Sequence, residues 1–183
     1  MRWLTYFILA YVMLGIQSGV SAYVPPYNGA APNFVLLAAI FIAINAPRDA
    51  ALLGCFGLGV LQDLLTQQTL GVYPLAYGIV GILVSGAQPL VHREHPVTHF
   101  SMALTGGIVV MIVLMLNGFL HPAVVQSGDL IVKVRPPIGP LIYSTLYTAL
   151  LSPIVLGLLQ RTRRAFAFAP GRRNRLNGLV ARA

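Results

Sequence analysis

The stretch GLGVLQDLLTQQTLGVYPLAYGIVGIL, Gly57 to Leu83, places one carboxylate, Asp63, in a run with no other charged residue. An ionised Asp at the centre of a membrane-spanning helix costs about 2.5–3.5 kcal/mol, whereas each Leu contributes about −0.3 to −0.6. The surrounding apolar residues therefore outweigh the acid. The stretch reads as the end of one spanning helix, a turn at Gln67-Gln68-Thr69 and the start of the next, with a carboxylate that needs a partner.

Composition extends this reading to the whole chain. Of 183 residues, 57% are hydrophobic and 9% charged, far from the roughly 25% charged content of a soluble domain. The mean hydropathy is +0.78. An integral membrane protein follows. Cys55, the single cysteine, lies in an apolar run, which excludes an intramolecular disulfide framework and reads as a small packing residue.

Six apolar segments can be marked: Trp3 to Val20, about Ala30 to Asn45, Ala50 to about Gln67, Leu70 to about Ala87, Val97 to Leu120, and Ile138 to about Leu159. The second is short for a crossing even with Ala30, Ala31 and Pro32 included. Pro47, the Gln67-Gln68-Thr69 turn, Pro89, Pro96 and Pro136-Pro137 separate the segments. The expected fold is an all-α integral membrane protein of six transmembrane helices over residues 1–160, followed by a basic cytoplasmic tail over 161–183.

Basic residues orient it. Arg2, Arg48 and Arg93 fall on the same side as Arg161, Arg163, Arg164, Arg172, Arg173, Arg175 and Arg182, against only Lys133 and Arg135 opposite. Ten against two places both termini in the cytoplasm by the positive-inside rule. Arg2, the first apolar run and Val20-Ser21-Ala22 resemble a signal peptide, but the run is long for one, and an uncleaved first helix is expected.

On the third helix, Ala51, Cys55, Gly59 and Asp63 recur every four residues, a stripe of small side chains leading to the acid. Small residues allow close helix approach, and Gln62 adds an amide beside the carboxylate. These features favour contact with another helix or a partner over the alternative, in which Asp63 only caps the following turn. Ser144, Thr148 and Ser152 form a stripe on the sixth helix, with Tyr143 and Tyr147 beside it. They are candidate partners for Asp63 or local back-bonding groups.

The order Pro32, apolar helix, Asn45-Ala46-Pro47-Arg48, Gly57-Leu58-Gly59-Val60-Leu61-Gln62-Asp63-Leu64-Leu65, then Leu70-Gly71-Val72-Tyr73 and Leu75-Ala76-Tyr77 resembles the rod shape-determining protein MreD family. The resemblance covers helices two to four. It implies a non-enzymatic inner-membrane component of the bacterial elongation machinery, working with an MreC-like bitopic periplasmic protein, an MreB-type filament and peptidoglycan synthases. It also implies a fold similar to the substrate-binding subunits of energy-coupling-factor transporters. The family's recognisable acidic position maps onto Asp63, with Gly59 before it and Leu70-Gly71 after it. Tyr73-Pro74 and the long Arg-rich tail depart from the family pattern.

Other constellations carry less. His92, His95 and His99 fit no zinc-protease spacing and read as a hydrated cytoplasmic loop, so no metal or cofactor is expected. The tail suits an anionic lipid surface, at about 1 kcal/mol per basic residue, and no nucleic-acid recognition fold accompanies it. Asp129 to Arg135 has strand period and suits either an edge contact with a periplasmic partner or the membrane interface. No Ser-His, Cys-His or paired-carboxylate spacing points to an enzyme. The competing function is a small-molecule capture subunit for a vitamin or metal transporter, with Tyr23, Tyr27, Asp63, Tyr73 and Asn117 as its pocket lining.

Overall fold

The computed structural model describes residues 3–23, 30–66, 70–88, 96–121, 123–127, 130–134 and 138–166. These form six helices, α1 (Trp3–Tyr23), α2 (Phe34–Asn45), α3 (Arg48–Leu65), α4 (Val72–Ala87), α5 (Pro96–Leu120) and α6 (Ile138–Phe166), with β1 (Ala123–Ser127) and β2 (Leu130–Val134) between the last two. The strands pair antiparallel from Ala123↔Val134 to Ser127↔Leu130, leaving a two-residue connection. The expected helical architecture, with six helices, thus carries one short hairpin besides, in the segment whose alternation has strand period.

The shortest helix organises the rest. Every residue of α2 from Phe34 to Ile44 is buried, and α1, α3, α4, α5 and α6 all pack against it. A helix that is apolar on all sides finds its place at the centre of a bundle. Its 12 residues span only about 18 Å at 1.5 Å per residue. That shortness, which looks like a weak crossing in the sequence, accompanies enclosure by protein on every side. Ala46 takes the extended conformation imposed on a residue before proline and ends the helix, with its N–H donating to the Ile42 carbonyl at 2.8 Å.

The outer helices invert the usual rule for large apolar residues. Tyr11, Leu53, Phe56, Leu64, Leu150 and Ile154 are among many that stand more than half exposed. Val97–Leu120 and Ile138–Arg161 are long and apolar enough to cross a membrane, and only 28% and 22% of their most apolar windows are buried. The core helix of a soluble protein would be mostly covered, so the apolar surface here faces lipid. Tyr6–Val20, Phe34–Asn45 and Val72–Ala87 are shorter apolar helices.

Pro153 interrupts α6 and supplies no N–H to the Ala149 carbonyl; the Ser152 hydroxyl donates there instead, at 2.7 Å. The Tyr6 hydroxyl of α1 donates to the Gly54 carbonyl of α3 at 2.8 Å. A Cβ on Gly57 would lie 2.8 Å from that hydroxyl oxygen, so the first glycine of the opening stretch makes room for α1.

This division into an enclosed helix and a lipid-facing shell gives a paired expectation. Ile40→Ala, at a residue 0% exposed, should destabilise the purified protein by about 2–5 kcal/mol through the cavity left behind. Ile154→Ala, at a residue 70% exposed, should stay within about 0.5 kcal/mol. Thermal unfolding in detergent distinguishes them.

Candidate functional site

Asp63 lies in the last turn of α3, 3% exposed, where its carboxylate meets the start of α4. Oδ2 accepts from the Gly71 N–H at 2.5 Å and Oδ1 from the Tyr73 N–H at 3.2 Å. The first N–H groups of any helix lack intrahelical partners, and its N-terminus carries partial positive charge, so a buried carboxylate there is both hydrogen-bonded and electrostatically favoured. Pro74 removes one further unpaired donor from the same turn. Gly71 enters α4 at φ +101°, a left-handed conformation suited to glycine. The acid therefore ties the end of one helix to the beginning of the next.

The small-residue stripe makes that tie possible. A Cβ on Gly59 would fall 2.5 Å from the Pro74 Cα and N, backbone atoms that cannot rotate away. Cys55, fully buried, faces Gly81, where an added Cβ would come within 3.1 Å of its own; its Sγ donates to the Ala39 carbonyl at 3.4 Å. Thus α3 and α4 touch backbone to backbone at Gly59 and side chain to backbone at Cys55. Gln62 is 5% exposed, and its Oε1 has no hydrogen-bond partner among the described residues. Leu70 is 80% exposed and joins none of these contacts.

The sixth-helix hydroxyls serve another purpose than Asp63. Asn33 caps α2, its Oδ1 accepting from the Leu36 N–H at 2.9 Å and the Tyr77 hydroxyl at 3.0 Å. Thr148 Oγ1 accepts from the Asn33 N–H at 2.8 Å, and Gln17 Oε1 of α1 accepts from the Phe34 N–H at 2.7 Å. Ser144 donates to the Ala31 carbonyl at 2.6 Å. The N–H groups of Asn33, Phe34 and Leu36 at the start of α2 are thus met from α6, α1 and its own cap. Thr148 also donates back to the Ser144 carbonyl at 2.7 Å, so cross-helix and local bonding coexist. Tyr143 and Tyr147 are exposed. At the opposite end of α2, Gln88 Nε2 donates to the carbonyls of Ala43 and Ala46 at 2.5 and 3.0 Å.

Beside the capped end of α2 lies a cleft with about 100 Å³ open to water-sized groups, lined by Asn33, Tyr73, Ser144 and Thr148 among others. Of the residues expected to line a capture pocket, Tyr73 is there. Asp63 and Asn117 are not, and Tyr27 lies outside the described residues. Small-molecule sites occupy roughly 300–1,000 Å³, well above this volume.

The remaining sequence readings divide. Arg161, Arg163 and Arg164 belong to α6, which continues through Phe166, past the expected end near Leu159. Arg172, Arg173 and Arg175 lie outside the described residues, as do His92 and His95. His99 is corrected: it sits within α5, 4% exposed, and not in a hydrated loop. Among the described residues no three His, Cys, Asp or Glu side chains gather as a metal site. Three residues that position the core, Gln17, Asn33 and Gln88, have no place in the sequence reading, and Tyr77 enters it only within the family pattern; Asn33, directly before an apolar run, carries a helix-start signal.

Substitutions at the α3–α4 joint have calculable consequences. Asp63→Leu leaves two buried N–H groups unmet and should cost about 2–3 kcal/mol, lowering the melting temperature by roughly 4–12 °C; Asp63→Asn, which keeps an acceptor, should cost less. Gly59→Ala must part the two helices, whereas Gly78→Ala, with nothing within 4 Å, should be neutral or stabilising by about 0.5–1 kcal/mol. Thermal unfolding of the four variants checks both pairs.

A family model, rod shape-determining protein MreD, matches residues 1–162. No curated protein and no solved structure gives a significant match. The match spans all six helices except the last residues of α6, and this chain belongs to the MreD family of rod shape-determining proteins.

Proposed function

We propose that this chain is a multi-pass scaffold of the bacterial inner membrane that supports lateral peptidoglycan synthesis and performs no chemistry itself. Family membership supplies the coarser statement, a membrane protein with a role in rod shape determination. The scaffold reading goes further: an MreC-like bitopic periplasmic protein binds the bundle, and an MreB-type filament and wall synthases join directly or through it. The observation that carries it is how the polar side chains within the bundle are used. Asp63, Asn33, Gln17, Thr148, Tyr77 and Gln88 all hold helix to helix, while large apolar residues cover the outside. Such a molecule offers shape and apolar faces to other membrane helices.

Six crossings with both termini cytoplasmic belong to the same proposal. Ala31 bonds Ser144 and Asn33 bonds Thr148, so α2 and α6 run parallel. Arg48 after α2 and Arg161 late in α6 accordingly share one end, while Lys133 follows α5 at the other. This supports a basic, cytoplasmic end. The energy-coupling-factor likeness remains part of the proposal, and the Arg-rich tail is assigned to anionic lipid, with Arg161, Arg163, Arg164, Arg172, Arg173 and Arg175 as its contacts. Partner contact at the α3–α4 turn is proposed through Leu70, which is 80% exposed, while Gln62, 5% exposed, is assigned to helix packing.

Affinity purification of the tagged full chain tests the scaffold reading. Recovery of a single-pass periplasmic partner, reduced by Leu70→Asp without loss of thermal stability, is the expected result. A copurifying vitamin-sized ligand with no membrane partner would favour the transporter alternative. Removing residues 165–183 should leave helix packing intact and weaken sedimentation with anionic vesicles more than with neutral ones.

A further inference from the structure

The cleft beside the capped end of α2 contains polar groups that the packing does not use. Asn33 and Tyr73 both line it. The Asn33 carbonyl oxygen is occupied twice, by Leu36 and Tyr77. Its Nδ2 donates to nothing among the described residues, and neither does the Tyr73 hydroxyl, whose ring packs at 5.8 Å from that of Tyr77. Neither atom is among the enclosed unpartnered groups of the bundle, so both stay open to a group that enters the cleft. Two such donors in one cleft call for an acceptor from outside the chain.

Three properties define that acceptor. The lining contains no Asp, Glu, Lys, Arg or His, so no charged group would be matched there. Val110, Met111, Leu114 and Leu141 form aliphatic walls, which suit methylene groups. The open space, about 100 Å³, holds roughly three water-sized groups, too little for a vitamin-sized molecule and enough for a carbonyl with a short length of chain.

The surroundings define its source. The cleft is only partly enclosed, and neighbouring residues on α5 and α6, Ile112, Leu116 and Ile142, are exposed and apolar, so its mouth meets the bilayer. Leu141 and Thr145 lie three and seven residues into α6, about 5–10 Å from its start. Since the 29 residues of α6 extend about 43 Å, past a hydrocarbon core of about 30 Å, that depth corresponds to the border between headgroups and acyl chains. Ester carbonyls of diacyl lipids occupy this border.

We propose that the cleft is a lipid site in which the Asn33 amide nitrogen and the Tyr73 hydroxyl donate to an ester carbonyl of one outer-leaflet diacyl lipid, with its first methylenes against Met111 and Leu141. Because Tyr73 N–H is held by Asp63, the α3–α4 joint sets the position of the lipid-binding hydroxyl. The choice of leaflet rests on the orientation proposed above, while the site itself needs a bilayer and no partner that the scaffold recruits.

Native mass spectrometry of the full chain, released from nanodiscs of phosphatidylglycerol in either diester or diether form with matched chains and headgroups, tests this without altering the protein. One retained lipid is expected with the diester, and about ten- to thirtyfold less retention with the diether, the loss corresponding to roughly two hydrogen bonds. Tyr73→Phe should remove one of the two and leave a preference of roughly three- to sixfold, and Met111→Trp should abolish retention of both lipids. Equal retention of diester and diether would overturn the proposal, as would a bound lipid undiminished in Met111→Trp.

Discussion

A helix with no face toward water or lipid has to find all of its partners within the protein. That constraint governs this fold. Helix α2 is enclosed on every side, and its terminal N–H and C=O groups, which an exposed helix would leave to solvent, are met by side chains from elsewhere in the chain. Gln17 from α1, Thr148 from α6 and Tyr77 from α4 converge on Asn33 and Phe34, and Gln88 closes the far end. The surrounding helices are thus positioned by hydrogen bonds at the ends of α2 and by packing along its length. Their outer faces remain free to be apolar.

The same requirement acts a second time at α4. Its first turn is buried against α3, and the carboxylate of Asp63 supplies what water would supply elsewhere. Gly59 permits the approach by leaving room for the Pro74 backbone, and Pro74 lessens the number of donors to be met. An acid that looks costly in an apolar run is stabilised by two backbone N–H groups and a helix N-terminus. Its burial is a condition of the α3–α4 turn and needs no partner protein. Tyr73, held by Asp63 through its backbone and facing the cleft with its ring, connects this turn to the outer surface of α5 and α6.

Much of this architecture is legible in residue order, for physical reasons that also explain the failures. Apolar runs separated by proline, or by the polar stretch Gln67-Gln68-Thr69 in one case, mark all six helices because these signals are local. The stripe Ala51, Cys55, Gly59, Asp63 marks the contact face of α3 because small residues at a four-residue interval have few other uses. What the stripe faces is not encoded locally: the hydroxyls of α6 look like suitable partners for Asp63, yet they are committed to α2, more than 100 residues away in sequence. Gln17 and Gln88 look like ordinary amides until the donor to the first and the acceptors for the second arrive from the two ends of α2. His99, grouped with His92 and His95 as a loop, lies inside the apolar segment that begins at Val97 and belongs to α5, and the central position of α2 emerges only when five other helices are placed around it.

For a family concerned with rod shape, a bundle whose interior polar groups are spent on its own assembly has its remaining capacity for recognition in outward apolar faces, the turn at Leu70 and the lipid-facing cleft. All of these depend on α2 staying enclosed. Paramagnetic quenching of backbone amide signals by lipids carrying a nitroxide on the acyl chain measures that enclosure directly. The account predicts that the amides of residues 36–44 are unaffected while those of residues 108–116 and 146–158 are broadened with helical periodicity. Broadening of the α2 amides equal to that on α5 and α6 would contradict it.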